Sequence, residues 1–292
     1  MSDLPDILYH YCSTEAFYSI VTSHSIRLSA LSLSNDSMEG NMAREALFRL
    51  AERDKLDAGT ILLLQQQFDV YRNKFDGFGF CLSKHKDQLS QWRGYAADAT
   101  GVAIGFSREY LEFLREEYSR PACPYFGFTI QEVLYNPKQH EFLVQSLYDQ
   151  LKEAIHDGVL SEAKEHSLLR SFSNDPEAQE IKSRLANIGF STLLTAPVAF
   201  VLKSLAFKEE SEFRLLTVIN QGDVKNIECR PKSDRLIPYR KYELKKFAQT
   251  TPEIKEVILG PKHRTPVSMV EDFLRSNEYG YVRVECSDAP YC

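Results

Sequence analysis

The sequence holds six cysteines but no C-x-x-C pair; Cys12, Cys81, Cys123, Cys229, Cys286 and Cys292 are scattered along the chain. Zinc ligation and a disulfide framework both need cysteines at set spacings, so neither is expected, and free thiols in a cytoplasmic protein are the plain reading. No run of about 18 apolar residues occurs, so no membrane span is expected. Met1–Asp6 shows no basic stretch followed by an apolar one, and no signal peptide is expected. An excess of basic residues is also missing: 35 Lys and Arg stand against 41 Asp and Glu, a formal net charge of −6. That balance argues against passive adhesion to nucleic acid and leaves room only for a local basic groove. There is no G-x-G-x-x-G and no G-x-x-x-x-G-K-[ST], so neither a Rossmann site nor a P-loop is supported. G-x-S-x-G and H-E-x-x-H are missing too. No internal repeat or low-complexity tract is present.

What is present reads as one α+β domain over residues 1–292, long enough to bury a sizeable core. Ile7–Cys12 reads as a strand, and Ser13-Thr14-Glu15 caps a helix. Ser25–Leu31 returns as a strand. Ser34-Asn35-Asp36 signals a helix to about Lys55, and a second covers Thr60–Lys74. Strands follow at Phe78–Ser83 and Gly101–Phe106, with a helical turn between. In the latter, bulky Val102, Ile104 and Phe106 alternate with Ala103 and Gly105, a bare face that another backbone or a flat ligand can approach. Residues 139–206 read as a helical insertion: Phe142–Asp157, Ser161–Phe172 and Pro176–Ala206. Strands resume at Glu212–Asn220, Val224–Cys229, Ile254–Leu259 and Tyr281–Cys286, with a helix at Pro266–Ser276. Strands early and late with helices between favour α+β over a doubly wound sheet.

The chemistry-bearing residues form a few groups. Phe207–Leu216 reads as a charged turn running into a strand, and alternation places Glu210, Glu212 and Arg214 on one face. Two crowded carboxylates beside a cation suit acid–base work or the binding of sugar hydroxyls. The bland alternative is a solvated edge strand. His10 shares its strand face with Leu8 and Cys12, and strand–helix–strand could bring it close to Arg27–Ser29. Asn35–Glu39 offers oxygen ligands for a hard metal, although helix capping explains them more simply. Ser90–Ala96 contains the single tryptophan; Gln91, Trp92, Arg93 and Tyr95 could recognise a phosphate and a ring, or pack as core.

Taken in order, these blocks resemble a widespread bacterial family of domains of unknown function. They are Leu8–Tyr11, Asn35–Glu39, Cys81–Ser83, Ser90–Tyr95, Gly101–Phe106, Lys203, Phe207, Glu210–Arg214, Val257–Pro261 and Ser287–Tyr291. Leu82 stands where that family usually has an aromatic. The arrangement also resembles, remotely, an ADP-ribosyltransferase. That resemblance implies a mixed or antiparallel central sheet of that fold, a histidine on the first strand and a late E-x-E strand. The long helical stretch before Glu210 departs from the pattern.

The resemblance implies NAD as substrate and no metal. His10 would hold the dinucleotide. Tyr11, Trp92 or Tyr95 would stack on a ring, and Arg93 or Lys203 would face the pyrophosphate, with Ser83, Gln91 and Arg214 also lining the binding site. Glu212 would bind the ribose 2′-hydroxyl and stabilise the oxocarbenium-like transition state, while Glu210 prepares the acceptor. With water as acceptor the enzyme is an NAD glycohydrolase; a protein or nucleic-acid acceptor makes it a transferase, and a toxin or phage-defence role suits either. This reading requires His10 and Glu212 to face one cleft. Three alternatives stay open: a metal-dependent nuclease using Asp36, Glu39, Glu210 and Glu212, a non-catalytic nucleotide sensor, and a partner-binding module built on the helical middle.

Overall fold

Strand β3 (Phe75–Ser83) carries bulky Phe78, Phe80 and Leu82 on one face and Gly77, Gly79, Cys81 and Ser83 on the other. It is the centre of the sheet in a computed structural model that describes residues 5–34, 40–120, 127–158, 176–220, 222, 225–232, 234–245 and 250–291. One edge of β3 pairs throughout with antiparallel β6 (Glu212–Asn220), from Phe75↔Asn220 to Ser83↔Glu212. Short β5 (Thr129–Glu132) lies outside β6.

The other edge of β3 is shared. β1 (Ile7–Cys12) takes its end, with Tyr9 opposite Ser83, while β2 (Ser25–Ala30) takes Gly79 and Phe78. From β1 the sheet runs antiparallel through β4 (Val102–Ser107) and β9 (Ile254–Leu259) and closes with β10 (Arg283–Cys286), parallel to β9. From β2 it runs through β8 (Arg235–Glu243) to β7 (Glu228–Lys232). The result is a ten-stranded, mixed and largely antiparallel sheet in an α+β fold.

The bulky face of β3 enters the larger core. Helices α1 (Thr14–Ser23), α5 (Arg108–Tyr118) and α8 (Val267–Ser276) cover it through residues such as Phe17, Val21, Leu111 and Leu274. On α1, Ser13 accepts from the Ala16 N–H, and His24 ends the helix with a left-handed φ of 45°. The opposite face packs α2 (Met42–Arg53), α3 (Ala58–Arg72), α6 (Pro137–His156) and α7 (Pro176–Ala199) in a second core around Leu50, Phe68, Leu147, Leu151 and Leu216. Along the same face, α4 (Leu89–Tyr95) covers β1 and β4 with Trp92.

Most of the expected elements form, and α6 and α7 correspond to two of the expected middle helices. The expected helix at Ser161–Phe172 and the Asn35–Glu39 turn lie outside the described residues. The expected strand Val224–Cys229 is displaced, since β7 begins at Glu228. Helix α5, β5 and strand β8, which completes a hairpin with β7, were not expected. In the hairpin, Pro231, Pro238 and closely spaced charges blur the alternation by which a strand is read. Among the described residues no helix is long and apolar enough to cross a membrane.

Because β1 and β2 part along one edge of β3, a fork opens beside Phe80–Leu82. His10 fills it. Its ring stacks on Phe80 with centroids 3.9 Å apart, and Nδ1–H donates to the Cys81 carbonyl at 2.8 Å. Burial lowers the His10 pKa to about 4, against the opposing pull of the Cys81 hydrogen bond, so the imidazole is neutral at pH 7.

The bare face of β4 is also occupied from within. The Tyr9 ring lies across Gly105 and its hydroxyl donates to Glu256 at 2.6 Å; a Cβ on Gly105 would come within 3.1 Å of the ring. Nearby, Ala97, Asp98 and Ala99 all adopt positive φ (49°, 52° and 69°). Each costs of order 1 kcal/mol for a residue with a side chain. The turn is held by Ala99 N–H donating to Trp92 at 2.9 Å and Gly101 N–H to Ala96 at 2.9 Å. Gly101 lets the chain pass so close to β1 that an added Cβ would meet the Cys12 carbonyl oxygen at 2.1 Å. Backbone in a paired strand cannot yield cheaply. Gly101→Ala should therefore lower stability by about 2 kcal/mol or more in urea denaturation; a variant as stable as the parent would disprove the close approach.

Candidate active site

The carboxylates meet at the start of β6. Ser204 caps a 3₁₀ turn over Leu205–Glu210, and Ser211 then takes a left-handed φ of 43° before β6 starts at Glu212. The turn and the strand start at Glu212 are as expected, but Glu210 lies in the turn, so strand alternation does not extend to it. The reversal at Ser211 still brings both carboxylates to one cation. Lys203 Nζ donates to Glu210 Oε2 at 2.5 Å and to Glu212 Oε2 at 3.0 Å. Arg214 grips Glu212 from the other side, Nε to Oε1 at 2.6 Å and Nη2 to Oε2 at 3.1 Å, and its Nη1 donates to the Phe200 carbonyl at 2.6 Å.

The group is buried, with Lys203, Glu210, Glu212 and Arg214 all under a tenth exposed. Two acids against two bases make it neutral. Burial alone would raise the Glu212 pKa, but the Arg214 charge and hydrogen bonds, with Lys203, outweigh it and hold the carboxyl at about 2. Burial likewise works against the Lys203 charge, and Glu212, Tyr95 and Glu210 overcome it, so the ammonium titrates above its usual range. Toward the surface, the Tyr95 hydroxyl donates to Glu210 Oε1 at 2.8 Å, and Phe207 packs its ring 4.7 Å from Lys203 Nζ. Tyr95 is 39 % exposed and is the outermost member of the group.

Three contributors could not be seen in the sequence. Tyr135, whose hydroxyl pKa burial pushes up to about 12, accepts from the Glu212 N–H at 3.0 Å. Cys81 lies against Glu212, and Phe200 supplies the carbonyl for Arg214. Each is distant from the motif, and only strand register or helix packing brings it there.

The other expected residues divide sharply. Ser83 is part of the site: its hydroxyl donates to the Glu210 carbonyl at 2.8 Å and receives the His85 N–H at 3.1 Å. His10 is not. Tyr9 pairs with Ser83 and Ser83 with Glu212, so Tyr9, Ser83 and Glu212 share one face. His10 points to the opposite face and sits in the fork, so it does not meet Glu212 across a cleft. A substrate-holding role beside Glu212 does not fit that placement.

Ring stacking on a ligand by Trp92 or Tyr11 is likewise not available. Trp92 is fully buried, with Nε1–H donating to Asp87 at 2.6 Å and its ring edge-on to Tyr11 at 4.8 Å. The Tyr11 hydroxyl donates to the His85 carbonyl at 2.8 Å and accepts from the Gln88 N–H. Asp87 also accepts from Ser287 Oγ at 2.5 Å, so this cluster fastens the C-terminal segment. Gln91 is buried, and Arg93 is exposed beside Tyr291. A groove of about 660 Å³ lined by Thr14, Thr100 and Pro261–Thr265 contains none of the carboxylates.

Residues 91–215 match a family model described as a protein of unknown function (DUF2971). The DUF2971 match takes in Tyr95, Lys203, Glu210, Glu212 and Arg214, and leaves out β1 with His10. No curated protein and no solved structure matches the chain.

Removing one partner of a buried pair strands the other charge. Arg214→Met should cost about 3–5 kcal/mol in urea denaturation; a loss below about 1 kcal/mol would mean the network is not formed as described. The titrations give a second test. The unfolded chain protonates His10 near 6.5 and the folded chain only near 4, so stability falls as pH drops through that window. Glu212 is depressed, so its contribution is present above about 4.5 and is lost as pH falls toward 2. His10→Phe should flatten the upper fall relative to the parent and leave the lower one; identical profiles would refute the neutral buried imidazole.

Proposed function

We propose that the protein cleaves the nicotinamide–ribose bond of NAD, as a glycohydrolase or as a transferase to a second acceptor, using Glu212 and Glu210. One observation carries this reading: a buried carboxylate gripped by Arg214 and Lys203, with a second carboxylate sharing that lysine. An ionised group in a dry site is preorganised against positive charge developing on a ribose ring. The bond between C1′ and the nicotinamide nitrogen breaks, and its electron pair leaves with nicotinamide. The acceptor oxygen or nitrogen bonds to C1′ and gives its proton to Glu210. Substrate entry requires Tyr95 and Phe207 to move aside, since they cover the pair. His10 faces away from Glu212, so the one-cleft condition of the ADP-ribosyltransferase likeness is not met, and the scheme keeps only the Glu210 and Glu212 carboxylates of it.

A second reading, nucleotide binding without turnover, is favoured by another observation. Every charged group of the network already has its counter-charge, as a structural clamp would.

Nicotinamide release from NAD by the purified protein separates the two. Release in the presence of chelator, reduced about a hundredfold or more by Glu212→Gln and by Glu210→Gln, is expected for the enzyme. Circular dichroism and melting establish that each variant is folded, and the less buried Glu210 serves if Glu212→Gln is not. Binding of NAD without release selects the second reading. Release that stops with chelator indicates a metal-dependent activity instead, and neither binding nor release rejects both nucleotide readings.

A further inference from the structure

The β2–β8–β7 branch carries charges that the carboxylate site does not use. Ser29 and Glu228 both pair with Tyr239, Arg27 pairs with Lys241 and Arg230 with Ile237. Arg27, Tyr239 and Arg230 therefore project from one face of the branch. The Arg27 guanidinium carbon lies 5.0 Å from the centroid of the Tyr239 ring, whose hydroxyl donates to Glu228 at 2.7 Å. Both arginines are partly buried. Lost hydration, and then the Arg27 charge, make Arg230 easier to deprotonate, and the Arg230 field reaches His10 in the fork.

Among the described residues exposed Arg93 and Arg264 also lack an ion pair, but these two cations differ from the other buried and partly buried arginines. Arg214 is paired with Glu212, Arg49 with Glu141 and Arg184 with Asp157. Among the described residues neither Arg27 nor Arg230 has a hydrogen bond or an ion pair, and Arg27 rests against the Tyr239 ring. Holding two partly dehydrated like charges together is unfavourable unless an anion joins them. A guanidinium presents a planar fork of N–H donors that matches the oxygens of a phosphate.

We propose that Arg27 and Arg230, beside the fork between β1 and β2, form a binding site for a phosphate or pyrophosphate group. The site stands apart from the carboxylate chemistry and does not depend on it. Exposed Lys241, on the same face, adds positive charge at its margin.

Calorimetric titration of the full-length protein with pyrophosphate, inorganic phosphate and ADP tests it. Saturable binding of pyrophosphate is expected, weakened about tenfold by Arg27→Gln or Arg230→Gln and further in the double variant. Lys262→Gln, in the separate groove, should leave binding unchanged. ADP binding more tightly than pyrophosphate supports the site as one for a nucleotide; equal or weaker binding supports it as one for the phosphate group alone. Melting in phosphate-free buffer guards against a purely structural role. Removing an uncompensated charge should leave the melting temperature of Arg230→Gln equal to the parent's or higher. Absence of saturable binding, binding unchanged in the double variant, or a clear fall in that melting temperature would overturn the proposal. Nicotinamide release is not read here, so this test and that of NAD cleavage can fail separately.

Discussion

One edge of β3 is claimed by two strands, and much of the molecule follows from that. β1 pairs with β3 at Ser83 and β2 at Gly79 and Phe78. Between these points β3 has backbone groups with no ladder partner. A buried carbonyl left without a donor costs about 1–3 kcal/mol, and His10 supplies the donor for Cys81. The histidine that looks chemical in the sequence is thus committed to closing a gap in the sheet. The same fork divides the sheet into two branches. One is tied down by Tyr9, Trp92 and the C-terminal segment, and the other ends in the polar β7–β8 hairpin.

On the far edge of β3 the pairing with β6 is uninterrupted, and this fixes Glu212 beside Ser83 and Arg214 beside Cys81. Burying four charges is not an efficient way to gain stability, since well-packed apolar residues often do as well or better. Such a network buys geometry: it holds Glu212 ionised and in one orientation and ties the 3₁₀ turn, α7 and β6 to a common point. That geometry suits catalysis, and it suits a clamp equally well until the outer pair, Tyr95 and Phe207, moves.

The sequence disclosed the periodic parts of this design. Alternation in β4 and β6 and the Ser13 cap of α1 were legible because they are local. The grouping of Glu210, Glu212, Lys203 and Tyr95 was legible only as a set of candidates. The charged turn before Glu212 was legible, but alternation was carried back across it to Glu210, and the left-handed Ser211 that breaks the alternation is a conformation that a serine does not announce. His10 shows the limit most clearly. Its strand face could be read from Leu8 and Cys12, yet its separation from Glu212 depends on the β1–β3–β6 register, which no local pattern carries. Trp92 and Tyr11 failed as ligand platforms for a related reason: an aromatic cluster reads alike whether it faces a ligand or Asp87 and the C-terminal segment. Tyr135 and Phe200 carried no signal at all, because their role is set by tertiary contact.

Register also shows that the two charged groups belong to one surface of the sheet. Ser29 pairs with Gly79, and Gly79 is on the same side of β3 as Cys81 and Ser83, hence of Glu212 and Arg214. Arg27, two residues before Ser29 on β2, projects from that side as well. They differ in compensation. The carboxylate network is neutral and buried, so mobile ions scarcely reach it and its internal fields are strong. The arginine pair is partly exposed and has no ion-pair partner among the described residues. An anion at the arginines, as proposed above, would relieve repulsion, whereas one at the carboxylate network would have to break existing ion pairs.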